Sequence, residues 1–391
     1  MKTSAIDKAE SNAMHFLSDN AAGASSKIMA AVVEACAGTS HPYGADQETR
    51  QAVDLLRQTF ECDLSAYLVT TGTAANALAL GAATTAWGAI LCHERAHVMS
   101  EECGAPEMFT GGAKLLGLPG ERGKVSVAAL AERLTRLKAG PGQSSRPRVL
   151  SLAQANEFGA VYTVPELQAL TSRAHAEGMT VHMDGARFAN AAAALNKAPA
   201  ELTWKAGVDV LSFGVSKNGG IACEAVIFFD SALALEFQRQ RKRAGHSLAK
   251  GRFLGAQMGA YLQDRHWLEL AARANQQAAR LAAGLSRAPG VRLPWARDVN
   301  LVFAIIPRRL NQKWRDLGAE YYEWPHQGLG LALAQDEVFV RLATSFATTP
   351  DEVDGFIAIA MTNAAGNGRR NTDWRADRAS AERSLKNGAI Q

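Results

Sequence analysis

The chain repeats one unit of hydrophobic patterning several times: a short apolar run bounded by turn residues, then a longer stretch with apolar positions every three or four residues. The short runs lie at 66–69, 89–92, 114–118, 149–152, 208–211 and 226–229, and one more, from 179, ends on Asp184. Runs of that length and flanking are expected of strands buried on both faces. Stretches such as 47–60 and 125–138 carry helical spacing, and Thr163-Val164-Pro165-Glu166 has the form of a capping box opening a helix to about 177. Residues 15–20 read as a short extended piece, with Ser25 and Ser26 as N-cap candidates for a helix through 28–36. Strand and helix in alternation predict an α/β fold with a mostly parallel sheet and helices on both faces.

After 229 the pattern changes. A single long helix rich in Ala and Leu is expected over 253–285, followed by strands at 291–293, 300–306 and 338–345. Thr349-Pro350-Asp351-Glu352 then caps a last helix to about 363. The predicted organisation is a polar lead over 1–14, a large α/β domain with linking helix over 15–285, a smaller C-terminal α+β domain over 286–364, and a solvated, poorly ordered tail over 365–391.

With 391 residues, 47% hydrophobic and 20% charged, the chain has ample material for a core. The net charge is +4, but the tail holds six Lys/Arg against three acids, which leaves about +1 for the rest. That excludes a basic nucleic-acid footprint on the body. Five cysteines with no paired spacing favour free thiols in a reducing compartment, hence a cytoplasmic location. Residues 1–13 lack an apolar segment, so neither a signal peptide nor a membrane anchor is expected. The uncharged stretch 70–92 is long enough to cross a bilayer, but its Ala, Gly and Thr content reads as a buried helix and strand.

Several positions carry chemistry. At Thr70-Thr71-Gly72-Thr73 a strand runs into a helix, whose free amides and dipole suit an anion such as phosphate. His93-Glu94-Arg95-Ala96-His97 matches the H-E-x-x-H zinc-peptidase pattern, which works only on a helix. Here it follows a strand, so zinc is a remote alternative and no metal is expected. Asp184 and Lys217 end neighbouring strand-like runs, placing both where ligands bind in open α/β sheets. Arg341, inside an apolar strand, either pairs with an acid or holds a ligand carboxylate. Together with His97, these groups describe a pyridoxal-phosphate site: an amine for the aldehyde, an acid for the pyridine nitrogen and a helix terminus for the phosphate.

From about 16 to about 356 the sequence resembles the pyridoxal-phosphate β-eliminating lyase/threonine aldolase family, and within it the low-specificity L-threonine and phenylserine aldolase branch. The resemblance rests on blocks in one order, among them Ser18-Asp19-Asn20, Gly72-Thr73-Ala74-Ala75-Asn76, Glu102-Cys103-Gly104-Ala105-Pro106, His182-Met183-Asp184-Gly185-Ala186-Arg187 and Lys217-Asn218-Gly219. It implies a fold-type I architecture with sites shared in a homodimer or homotetramer. Lys217 would bond the cofactor aldehyde, Asp184 would pair with the pyridine nitrogen and His97 would stack on the ring. Gly72 and Thr73 would hold the phosphate, Arg187 would lie on the ring's oxygen side, and Lys250 would reach a phosphate in the neighbouring subunit. Ser18 and Arg341 would grip the substrate carboxylate. The implied reaction is retro-aldol cleavage of L-β-hydroxy-α-amino acids to glycine and an aldehyde, with His97 and Glu157 both candidates for the base. β-Elimination by the same cofactor is the alternative. Gln154-Ala155-Asn156-Glu157 stands where many members have Glu-Asn-Thr-His.

Overall fold

A computed structural model describes residues 14–362 apart from 141 and 143. The expected lead and tail lie outside the described residues, apart from Met14 at the end of the lead. Seven strands form the main sheet: β1 (Ser65–Val69), β2 (Gly88–His93), β3 (Lys114–Leu118), β4 (Arg146–Ala153), β5 (Thr180–Gly185), β6 (Val210–Gly214) and β7 (Glu224–Phe228). Their order is β1-β7-β6-β5-β4-β2-β3. Only β7 runs against its neighbours, because the short link from β6 cannot hold the crossover that a parallel return needs. β2, β6 and β7 are buried along their whole length, which is why they read as unbroken apolar runs. Phe60, Phe188, Phe213 and Trp267 meet edge-on and stacked in the main core, each contributing roughly 1.5–3 kcal/mol by burial.

The helices Gln47–Phe60 and Val164–His175 form as their patterning predicts, the latter with its capping box closed by Thr163 and Glu166. Ser25 precedes the helix Ser26–Glu34 but makes no side-chain cap; its hydroxyl pairs with His266 Nε2 at 2.7 Å. The long helix expected over 253–285 is two helices, Arg252–Leu262 and His266–Leu285. Asp264 and Arg265 between them are left-handed, with φ of 56° and 58°. The break lets the first helix lie on Gln47–Phe60 and the second on Phe188–Leu195 and Pro350–Met361, and one straight rod could not meet all three.

The second sheet is antiparallel, β8 (Leu301–Pro307), β10 (Glu337–Ala343) and β9 (Tyr322–Glu323) in that order. Residues 291–293 are not a strand; Arg292 makes one isolated bridge to Ile305. The helix Arg308–Asp316 went unread because it buries only Leu310 and Trp314, one turn apart. Phe16, Trp314, Leu281, Val340 and Phe356 share this second core, with Trp314 stacked on Phe356 at 3.9 Å. The chain start is tied in as well, since Phe16 N donates to Glu320 O and Ala343 N donates to Phe16 O. Segments on both sides of the expected 285/286 boundary therefore feed one core. No helix among the described residues is long and apolar enough to cross a membrane.

Candidate active site

The parallel strands β4, β5 and β6 end together, and their carboxyl ends open on a cavity of about 410 Å³. Asp184 sits near the end of β5 opposite Ser212 of β6. The two strand ends approach closely: a Cβ on Gly185 would lie 2.6 Å from Ser212 O, and one on Gly214 2.7 Å from Ala186 O. Lys217 follows on a single 3-10 turn, Ser216–Asn218. That turn is fixed from below, because Asn218 Nδ2 donates to Tyr261 Oη at 2.9 Å and to Trp267 O at 2.8 Å. Opposite, the helix Gly72–Ala83 starts at the cavity, capped by Thr71, whose Oγ1 accepts from Ala74 N at 3.1 Å. Gly72, Thr73, His97, Glu157, Asp184, Arg187 and Lys217 all line the cavity.

A polar network crosses its floor. Asn76 Nδ2 donates to Asp184 Oδ2 at 2.9 Å and to Glu102 Oε1 at 2.8 Å. His97 Nδ1 meets the same Glu102 oxygen at 2.8 Å, and Ala186 N donates to Asp184 Oδ1 at 3.0 Å. The Glu102 hydrogen bond holds His97 above the usual histidine range, against its partial burial. Glu157 Oε1 accepts from His97 N at 3.0 Å; burial, and then the Asp184 charge, push its carboxyl up. Arg187 forms a two-point pair with Asp19, Nε to Oδ2 at 2.7 Å and Nη2 to Oδ1 at 3.0 Å, and Asn300 Nδ2 also reaches Asp19. This clasp ties the chain start, the large sheet and the second sheet together beside the cavity.

Three expected residues lie outside the cavity lining. Arg341 is buried on β10 with no acid in ion-pair reach among the described residues. Its guanidinium packs over Trp324 at 4.2 Å and Tyr322 at 5.1 Å, and its Nε is buried without a partner. Burial, with the nearby Arg187, pulls it down to about 10. Ser18 Oγ caps Asn20 N at 3.2 Å, and Asn20 lines the cavity. Lys250 is exposed. The zinc pattern does not assemble: His93 ends β2, His97 opens a four-residue helix, and both ring nitrogens of His93 meet backbone, at Arg95 N and Gly120 O.

Asn76, Glu102, Asp19 and Glu224 were not singled out from sequence. Signals existed for two of them. Asn76 is the one amide in an Ala, Leu and Gly helix one turn past Gly72, and Glu224 opens an otherwise apolar strand.

A mostly parallel sheet with a smaller antiparallel partner, and a helix N-terminus, carboxylate and lysine at one strand-end cavity, define a fold-type I pyridoxal-phosphate enzyme. The chain belongs to the beta-eliminating lyase family, whose model matches residues 15–307. It is 42% identical over 313 residues to the low specificity L-threonine aldolase of Pseudomonas aeruginosa, spanning 80% of this chain and 90% of that one. The protein of the same description from a Pseudomonas species is 41% identical over 313 residues, with the same coverage. The solved threonine aldolase of Leishmania major superposes with a TM-score of 0.82 at 27% identity, covering 88% of this chain and 98% of that one.

Proposed function

We propose that this pyridoxal-phosphate-dependent lyase cleaves L-β-hydroxy-α-amino acids of the threonine, allo-threonine or phenylserine type to glycine and an aldehyde. The observation that carries the reading is the convergence of Lys217, Asp184, His97 and the Gly72–Thr73 helix start on one cavity. The residues fit the cofactor. A Cβ at Gly72 would meet nothing within 4 Å, so the helix start leaves open space where its free amides can take a phosphate. Asp184, 7% exposed and held by two donors, suits a protonated pyridine nitrogen, and Lys217 presents the amine for the aldehyde. Bound there, the cofactor supplies an electron sink for the pair released when Cα–Cβ breaks.

This chain's residues do the rest. Arg341, buried with no acid in ion-pair reach among the described residues and braced by two aromatic rings, receives the substrate carboxylate together with Ser18. Holding that end sets which bond at Cα is aligned for cleavage. His97 takes the β-hydroxyl proton, while Glu157, already accepting from the His97 amide, holds the backbone of that base. Arg187, clamped by Asp19, would hold the cofactor ring on its oxygen side. The enzyme works as a cytoplasmic homodimer or homotetramer in which Lys250, exposed within one chain, completes the phosphate site of its neighbour; the five free cysteines suit that compartment.

β-Elimination needs the same electron sink, and the products separate the two reactions. L-Threonine and L-phenylserine are expected to give glycine with acetaldehyde or benzaldehyde. A 2-oxo acid with ammonia would replace the retro-aldol reading by β-elimination.

A further inference from the structure

We propose that Glu102 is a positioning residue of the reaction: its carboxylate keeps the His97 proton on Nδ1, presents Nε2 to the substrate, and through Asn76 ties that imidazole to Asp184. The inference rests on the reading of His97 as the group that takes the β-hydroxyl proton.

The hydrogen-bond pattern fixes the roles. One Asn76 nitrogen donates to two carboxylates, at 2.8 Å and 2.9 Å, and its Oδ1 has no partner. The flipped amide would put a carbonyl oxygen between two acids, so the NH₂ group faces them. Glu102 Oε1, receiving that N–H, accepts from His97 Nδ1 as well. Burial pushes the Glu102 carboxyl up, while the hydrogen bonds from His97 and Asn76 oppose that shift. As the carboxylate these two donors favour, it only accepts, so the imidazole carries its proton on Nδ1 and Nε2 is the basic nitrogen.

Glu102 makes little sense as a stabilising residue. It is 4% exposed, and its Oε2 is buried with no partner among the described residues. A half-satisfied buried acid is worse for stability than an apolar side chain of similar size. The turn after it is strained too, with Cys103 at φ 51° before Gly104 at φ 74°. Strain and an unmet oxygen are both retained where they aim one carboxylate at His97.

The charged groups facing His97 are Glu102, Asp184 and Lys217, with Glu157 on its backbone N–H. Glu102 and Asp184 favour the imidazolium and Lys217 opposes it. Removing the Glu102 charge therefore lets His97 lose its second proton at lower pH, and the acid limb of the rate profile moves with it.

The test uses the full chain loaded with pyridoxal phosphate and carrying ring-¹⁵N histidine, with the His97 signals identified by their loss in H97N. In the unsubstituted protein, neutral His97 is expected as the Nδ1–H tautomer. E102Q is expected to lower its titration midpoint by about one pH unit, tenfold in proton affinity, and to shift the acid limb of kcat equally. An Nε2–H tautomer in the unsubstituted protein would overturn the proposal, and that measurement decides alone if E102Q does not fold. An E102Q protein with lower melting temperature but unmoved midpoint and limb would show a structural role only. Should the products prove to be a 2-oxo acid and ammonia while the tautomer and midpoint behave as expected, the retro-aldol reading fails and the positioning role of Glu102 stands.

Discussion

Burial pushes the Glu224 carboxyl up to about 7, although Val215 N donates to its Oε2 at 2.7 Å and the Lys217 charge opposes the shift. His182, buried between Ser151 and Ser212, is pushed down to about 4 by the same cause. The two work in opposite directions. Between pH 4.5 and 7 the native chain holds a Glu224 proton that the unfolded chain has lost, so stability falls as pH rises. Between pH 6.5 and 4 the unfolded chain gains a His182 proton that the native chain refuses, so stability falls as pH drops. Each is worth about 3 kcal/mol, and they cancel over the shared window. E224Q in the cofactor-free protein is expected to expose the His182 slope, with urea midpoints that rise from pH 4.5 to 6.5; a flat profile would contradict this. R341K is expected to raise KM for threonine about 10–100-fold, the loss of a two-point charged contact, with the spectrum of the bound cofactor unchanged. An altered spectrum instead would place Arg341 at the cofactor. Lys217, Asp184 and the Gly72-Thr73 pair were legible in sequence because polar chemistry stands out at the end of an apolar run. Glu102 was not, because an acid in a loop looks like a solvated charge until packing buries it.

The site depends on how closely two strands finish. β5 and β6 bring Asp184 and Lys217 together because Gly185 and Gly214 have no Cβ to hold the strand ends apart. G214A would place a methyl 2.7 Å from Ala186 O. It is expected to cost about 1–3 kcal/mol and to weaken retention of pyridoxal phosphate, read by melting and by bound chromophore after dialysis. Unchanged retention would mean that strand spacing does not set the site. The strands were readable because burial on both faces leaves a continuous apolar run, and the capped helices because their end signals are local. The break at Asp264 and Arg265 was not, since helical spacing continues through it and only the need to face two different neighbours selects the turn. β9, two residues long with both exposed, carries no periodicity to read.

Across the whole molecule, the alternation of strand and helix was enough to expect the mostly parallel sheet, and the change of pattern after 229 its smaller partner. The reversed β7 follows from a link length, and the clasp of Asp19, Arg187 and Asn300 from long-range packing that no local pattern reports. The proposed sharing of sites has a direct consequence: K217A and K250A chains, each impaired alone, are expected to regain activity when co-assembled, and no recovery would mean that each chain completes its own site. The most direct test of the account is borohydride reduction of the pyridoxal-phosphate-loaded protein followed by mass mapping. The account predicts one modified lysine, Lys217, with loss of the visible chromophore. A protein that takes up no cofactor, or a label fixed on another lysine, would contradict it.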